Sequence, residues 1–305
     1  MTVVREPRLL NLRLHLPEIS NPRPPAAENN RFSSFAADLE KLKVLGHGSG
    51  GTVYKVRHKA TSETYAIKLI HGGATTDPAS RRQLIRETDI LRHTDSPHVV
   101  RCHGIFERPS VEIAILMEYM DSGTLETLLR SQGTFSESEL ADVARKVLKG
   151  LHYLHSHKIV HRDTKPANIL VNSKMEVKIA DFGVGKILCR TLEACTTYVG
   201  TCAYMSPERF DPGTYGGEYD GSAGDIWSLG LTLMKLYMGH FPLFRPGQRS
   251  DFLTLMFAIC FGEPLASLHE GASEEFRSSL GCCLQKESSK RWSATQLLGH
   301  PFVRL

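Results

Sequence analysis

From Leu39 onward, apolar and polar residues alternate in short runs rich in Val, Tyr and Ile: Lys41 to Leu45, Thr52 to Val56, Tyr65 to Ile70 and Ile113 to Glu118. A period of two carried by β-branched and aromatic residues predicts half-buried strands. From Leu125 the period changes, and Glu137 to His155 and Ile226 to Tyr237 place apolar residues at the three-and-four spacing of helices. A strand-rich first part before a helix-rich second part predicts an α+β molecule of two lobes, not a repeating βαβ sheet. Residues 18–34 fit neither period. Pro22, Pro24 and Pro25, with Pro17 beside them and Glu28, Asn29 and Asn30 following, leave too little apolar content to fold alone. That stretch reads as a linker behind a short N-terminal tail.

The chain has 305 residues, 41% of them hydrophobic, which allows a substantial core. Glu, Asp, Ser or Lys interrupts every long apolar run well short of the roughly 18 residues that cross a bilayer. The N-terminus has no continuous apolar stretch with a small-residue cleavage site, so no signal peptide is predicted. No membrane association is expected, and the expected location is the cytoplasm, with the nucleus as a second compartment. Seven cysteines form no CxxC pair, and no HExxH occurs. These cysteines, Cys189, Cys195 and Cys202 included, are expected to be reduced. A net charge of +4, dispersed along the chain, argues against nucleic acid as a partner.

Gly46-His47-Gly48-Ser49-Gly50-Gly51 fits GxGxxG, a pattern shared by dinucleotide folds and phosphotransferases. In a dinucleotide fold the glycines open a helix, whereas here Thr52 to Val56 continues as a strand. The glycines therefore cap a hairpin whose backbone amides can approach phosphates, with Val53 placed to lie on a flat base. In Tyr65-Ala66-Ile67-Lys68-Leu69-Ile70 a lysine interrupts a strand. Nineteen positions later Glu87 shares a helical stripe with Leu84, Thr88 and Leu91, where a carboxylate is costly unless paired. Lys68 is the natural partner. His161-Arg162-Asp163-Thr164-Lys165-Pro166-Ala167-Asn168 is followed by Asp181-Phe182-Gly183, and this sparse set of loop oxygens suits Mg²⁺ completed by phosphates.

Taken in order, GxGxxGxV, AxK, HRDxKxxN and DFG are the signature set that protein kinases carry, and the chain resembles that family from Leu39 to its end. The resemblance implies a bilobal fold: a tail over 1–38, an antiparallel-sheet N-lobe with one main helix over 39–117, and a mostly helical C-lobe over 118–305. It implies ATP bound by Gly46, His47, Gly48, Ser49, Gly50, Gly51, Val53, Ala66 and Lys68. Met117 would be gatekeeper, with Glu118 and Met120 at the hinge. Asp163 would take the acceptor proton, and Lys165 and the Lys68–Glu87 pair would handle charge. Asn168 and Asp181 would hold Mg²⁺, and His161 would be structural. Ser206-Pro207-Glu208 stands in the APE position with Arg291 as the glutamate's partner, and Asp225 to Gly230 matches the helix that anchors the catalytic loop.

Lys165 two places after Asp163, together with Gly200-Thr201, resembles serine/threonine-type enzymes. Tyr198 to Arg209 and Gly299-His300-Pro301-Phe302 are similar to mitogen-activated protein kinase kinases, which phosphorylate Thr and Tyr in a MAP kinase activation loop. Thr191 and Thr197, with five residues between them, resemble the activation spacing of the plant branch, and the short termini its minimal-length members. The family then implies a MAP kinase substrate, an upstream MAP kinase kinase kinase, and a monomer. In residues 5–16, Arg5 and Arg8 ahead of Leu12, Leu14 and Leu16 resemble the family's docking motif, an extended peptide with leucines on one side. Two departures stand out. Thr164 replaces an aliphatic residue, at a cost of about 1–3 kcal/mol if its hydroxyl is buried without a partner, and Trp292 replaces proline after Arg291. The alternatives are a serine/threonine kinase for another substrate and a catalytically weak scaffold.

Overall fold

The computed structural model describes residues 38–48, 51–70, 90–107, 113–180, 202–215, 221–244, 251–268 and 271–304, and elements are numbered in chain order among these. Strands β1 (Leu39–Gly48), β2 (Gly51–His58), β3 (Thr64–Ile70), β4 (Cys102–Glu107) and β5 (Ile113–Glu118) form one antiparallel sheet in the order β1-β2-β3-β5-β4. The most apolar runs take the central places. Ile67, Leu69, Ile70, Ile113, Ala114, Ile115 and Leu116 of β3 and β5 are all buried. The edge strand β1 leaves Leu42, Val44 and Leu45 exposed, and its register shifts at Lys41/Lys43 and Val44/Gly46 twist the edge away from regular pairing. A helical turn at 90–93 is the described end of the helix predicted around Leu84 to Leu91.

The rest is mostly helical: α1 (Leu125–Gln132), α2 (Glu137–Ser156), α3 (Pro207–Phe210), α4 (Pro212–Tyr215), α5 (Gly221–Met238), α6 (Phe252–Phe261), α7 (Glu274–Cys283), α8 (Ala294–Leu298) and α9 (Pro301–Arg304). Short strands β6 (Gly123–Thr124), β7 (Ile169–Val171) and β8 (Val177–Ile179) make a second sheet. The two long helices are held for different reasons. Ser136 and Glu139 form a reciprocal capping box that starts α2, and its apolar stripe of Leu140, Ala144, Val147, Leu148 and Leu151 faces the core. The other, α5, is buried from Ala223 to Met234, so it is the central post of this lobe. At Gly230 a Cβ would press on Cys283 and Leu284, so only glycine permits this approach of α5 to the α7 end.

The lobes are stitched together beside the coming site. Val100 N–H donates to the Ile179 carbonyl at 2.9 Å, and Ile179 N–H to that of His98 at 2.9 Å. No described helix is long and apolar enough to cross a membrane. Cys102, Cys260, Cys282 and Cys283 are free, as expected, and burial pushes the Cys283 thiol well up, making it an inert core residue. Cys202 departs from the expectation: it is fully buried and disulfide-bonded.

Candidate active site

The loop before β7 gathers polar side chains, and one buried carboxylate fixes it. Asp225, in the first turns of α5, has no exposed surface. Its Oδ2 accepts from His161 N–H at 2.8 Å and pairs with His155 Nε2 at 2.9 Å, while Oδ1 accepts from Arg162 N–H at 2.6 Å. Burial works to raise its pKa, yet the His155 hydrogen bond, the nearby imidazoles and the Arg162 amide outweigh it and hold Asp225 below the usual carboxylate range. That grip also holds Arg162 at φ 69°, a left-handed conformation costly for a non-glycine residue.

Beyond Arg162 the polar groups converge. Asp163 Oδ2 is 2.9 Å from Lys165 Nζ and 2.8 Å from Asn168 Nδ2, and the same amide reaches the Asp163 carbonyl at 2.8 Å. The carboxylate is thus aimed by two donors while about a quarter of its side chain stays exposed to a reactant. Asn168 sits in a tight turn, Pro166–Asn168, pre-set by the proline. Its carbonyl accepts from Ala180 N–H at 2.8 Å, which ties the turn to the residue before Asp181. Because Nδ2 is spent on Asp163, the amide oxygen remains as the hard donor a Mg²⁺ takes. His161 is buried, with Nδ1 accepting from Asp163 N–H at 3.2 Å and Nε2 at 2.9 Å from the Ala180 carbonyl. These partners require the Nε2–H tautomer and use both ring nitrogens.

In the five-stranded sheet, β3 carries Ala66 and Lys68, both buried, in register with Met117 and Ile115 of β5 and with Lys55 and Val53 of β2. The β2 hairpin needs its last glycine: Gly51 has φ 133°, and a Cβ there would collide with the Leu69 carbonyl. Across the hairpin His47 Nδ1 is 3.2 Å from Thr52 Oγ1. Met117 and Leu170 pack on an apolar cluster of Val100, Met120 and Ala180 between the lobes. The Glu118 side chain is committed, accepting from Arg101 N–H and Lys178 Nζ at 2.7 Å each, and its own N–H donates to the Arg101 carbonyl at 3.0 Å, so it braces the hinge.

A second anchor lies below. Arg291 and Glu208 form a two-pronged pair at 2.7 and 2.6 Å with neither side chain exposed, and Arg291 also donates to the carbonyls of Ala223, Gln285 and Lys286. Ser228 Oγ donates to the Tyr204 carbonyl at 2.7 Å, fixing the segment after Cys202 to α5. Thr164 Oγ1 is buried with no hydrogen-bond partner among the described residues, the cost foreseen for this departure. Trp292 N–H donates to the Cys282 carbonyl at 3.1 Å, a bond a proline could not make.

Sequence reasoning missed Leu170, His155 and the clamp on Glu118. Leu170 stands in a three-residue strand too short to show a period, and His155 looks like an ordinary basic residue in a last helical turn. Glu87, Ser49, Gly50, Asp181, Thr191, Thr197 and the tail residues Arg5, Arg8, Leu12, Leu14 and Leu16 lie outside the described residues.

A carboxylate aimed by a lysine and an asparagine, in a helical lobe joined through a hinge to a lysine-bearing sheet, is the arrangement of an ATP-dependent protein phosphotransferase. Residues 39–303 match the protein kinase domain. Over all of this chain and 99% of theirs, two proteins of Arabidopsis thaliana, mitogen-activated protein kinase kinases 9 and 7, are 60% and 57% identical to it. The Drosophila melanogaster protein dual specificity mitogen-activated protein kinase kinase dSOR1 is 40% identical over 88% of this chain and 71% of its own. The chain belongs to the protein kinase family and, within it, to the plant-type mitogen-activated protein kinase kinases.

Proposed function

We propose that the protein transfers the γ-phosphoryl group of ATP to the Thr and Tyr of a MAP kinase activation loop, as the middle tier of a cascade. The observation that carries the reading is Asp163, held by Lys165 and Asn168 at 2.9 and 2.8 Å on a loop locked by Asp225. In this reading Asp163 accepts the proton of the acceptor hydroxyl and aims it in line with the phosphorus. Lys165, already beside that carboxylate, offsets charge on the transferred group. Lys68, with Glu87 as its partner, positions the α- and β-phosphates, while Val53 and Ala66 form the roof over adenine. The floor is Leu170, and the backbone of Glu118 and Met120 receives the base edge. Asn168 and Asp181 would hold Mg²⁺, which when bound neutralises the phosphate oxygens.

An upstream MAP kinase kinase kinase turns the enzyme on by phosphorylating Thr191 and Thr197. A phosphate of nearly two charges there can gather Arg162 and Lys186 and order the segment against the site. The tail motif Arg5, Arg8, Leu12, Leu14 and Leu16 recruits the MAP kinase. Support for a dual-specificity role comes from the name of the Drosophila relative. The test is to incubate the protein, first treated with an upstream kinase, with ATP, Mg²⁺ and a kinase-dead MAP kinase, and to map phosphate on the acceptor loop. Phosphate on both Thr and Tyr is expected. Phosphate on unrelated proteins but none on any MAP kinase would overturn the assignment of substrate.

A further inference from the structure

The last turn of α5 carries a charge that the phosphate-transfer residues do not use. Lys235 extends from that turn to α1, where its Nζ lies 2.6 Å from Glu126 Oε2, while Arg130, one turn along α1, donates to Glu126 Oε1 at 3.2 Å. Among the described residues neither cation has a second acidic partner, so this trio keeps one positive charge in excess. The Lys235 and Glu126 side chains are 18% and 19% exposed and Arg130 is 74% exposed, which turns the surplus toward solvent above a half-buried base. Half-burial matters, because a charge shielded from water on one side attracts an anion more strongly than a free surface lysine does.

The trio sits beside the catalytic loop. Its helix α1 packs on the Pro166–Asn168 turn, which holds Asn168 against Asp163. Lys235 and Ser228 are seven apart on α5 and so share a face, and Ser228 Oγ donates to the Tyr204 carbonyl at 2.7 Å. The Tyr204 ring reaches Phe241, just past the end of α5, and meets it edge-on with centroids 5.7 Å apart. Tyr204 thus spans the interval between the anchored 204–208 segment and the turn that carries Lys235. Burial, followed by the negative charges of Glu126 and Asp163, pushes its hydroxyl pKa well up, which sets both carboxylates within electrostatic reach of one side chain. The end of α5 is fixed in turn by Phe135 N–H, which donates to the Leu236 carbonyl at 3.0 Å.

We propose that Lys235, with Arg130, is a specificity-determining site for the singly phosphorylated acceptor loop: it receives the phosphate left by the first of the two transfers and so favours the second. The inference rests on the proposed function. Two transfers onto hydroxyls of one loop must pass through a loop that carries one phosphate, and that phosphate adds nearly two negative charges to the substrate of the second step. With the second hydroxyl at Asp163, the adjacent wall is where such a charge is met, and the cations on that wall are Lys235 and Arg130. Glu126 sets the threshold. A loop carboxylate has to compete with it for the same two cations on equal terms, whereas a phosphate brings about twice the charge and three acceptor oxygens.

The test measures kcat/KM on kinase-dead MAP kinase in three states, unmodified, phosphorylated on the loop Thr only and phosphorylated on the loop Tyr only, for the unaltered enzyme and for Lys235→Gln, both activated beforehand. The expected result is that the preference for a singly phosphorylated state over the unmodified loop falls about tenfold in the variant and that Lys235→Arg restores it. Added salt should lower the preference of the unaltered enzyme and leave that of Lys235→Gln where it is. An unmoved preference overturns the proposal: if the rates on all three states fall together, the residue supports the fold or meets a loop carboxylate, and if none falls, it takes no part in recognition. Should Lys235→Gln lose its fold, Arg130→Gln, a change on an exposed side chain, permits the same comparison and must lower the preference in the same direction. A protein that phosphorylates other substrates and no MAP kinase would defeat the functional reading itself, whereas two phosphates placed on a MAP kinase with unmoved preference would defeat this inference alone.

Discussion

Asp163 and Lys68 are separated by nearly a hundred positions, and in the proposed function they have tasks that no other described residue duplicates. Asp163→Asn keeps the hydrogen-bonding shape but cannot take a proton, and Lys68→Met keeps the length of the side chain without its charge. Each change should lower turnover by orders of magnitude with circular dichroism unchanged. Near-normal MAP kinase phosphorylation by either folded variant would remove the role assigned to that residue. Thr164 makes the opposite kind of statement. Its hydroxyl is buried without a partner among the described residues, so Thr164→Val replaces an unsatisfied polar group by a methyl of similar shape. The variant should be more stable by ~1 kcal/mol, raising Tm by a few degrees, with kcat retained. A lower Tm would mean that the hydroxyl is satisfied in solution.

At the scale of elements, α5 is the part on which the site depends. Asp225 has a depressed pKa, so it contributes stability above its unfolded value, and that contribution is lost as pH falls through the folded value. Acid unfolding curves of the protein and of Asp225→Asn should therefore converge as pH drops below the ordinary carboxylate range. Curves that stay parallel would remove the linkage. The Glu208–Arg291 pair is the other fastening. Arg291→Ala leaves a buried carboxylate uncompensated, at about 3–5 kcal/mol, which for a domain of this size lowers Tm on the order of 10 °C. A loss below ~1 kcal/mol would show water reaching Glu208.

Legibility followed the same divide between local and non-local signals. The strands marked by β-branched and aromatic residues, β2, β3 and β5, and the long helices α2 and α5 stand where the sequence puts them. The strand β4 escaped notice because Gly104 and His103 dilute its pattern, and it is specified by pairing with β5 rather than by its own residues. In the site, residues fixed by short spacing, such as Asp163, Lys165 and Asn168, were readable and are brought within hydrogen-bond reach. The grip of His155 on Asp225 joins positions seventy apart and carries no local mark.

The whole molecule reads as two lobes stitched at 98–100 and 179, a catalytic loop hung from a buried helix, and an acceptor segment bolted to the same helix. In the proposed function, Thr191 and Thr197, which follow Ala180 and precede Cys202 in the sequence, are where added charge acts. The measurement that tests this most directly is the initial rate of Thr and Tyr phosphorylation on a kinase-dead MAP kinase, before and after treatment with an upstream kinase. It should be made on the protein, on Asp163→Asn and on Thr191→Ala/Thr197→Ala. The expected result is a large rise in both acceptor signals for the unaltered protein, no signal at either stage for Asp163→Asn, and a low rate that the upstream kinase does not raise for the double alanine form. Full activation of the double alanine form, or dual phosphorylation by Asp163→Asn, would contradict it.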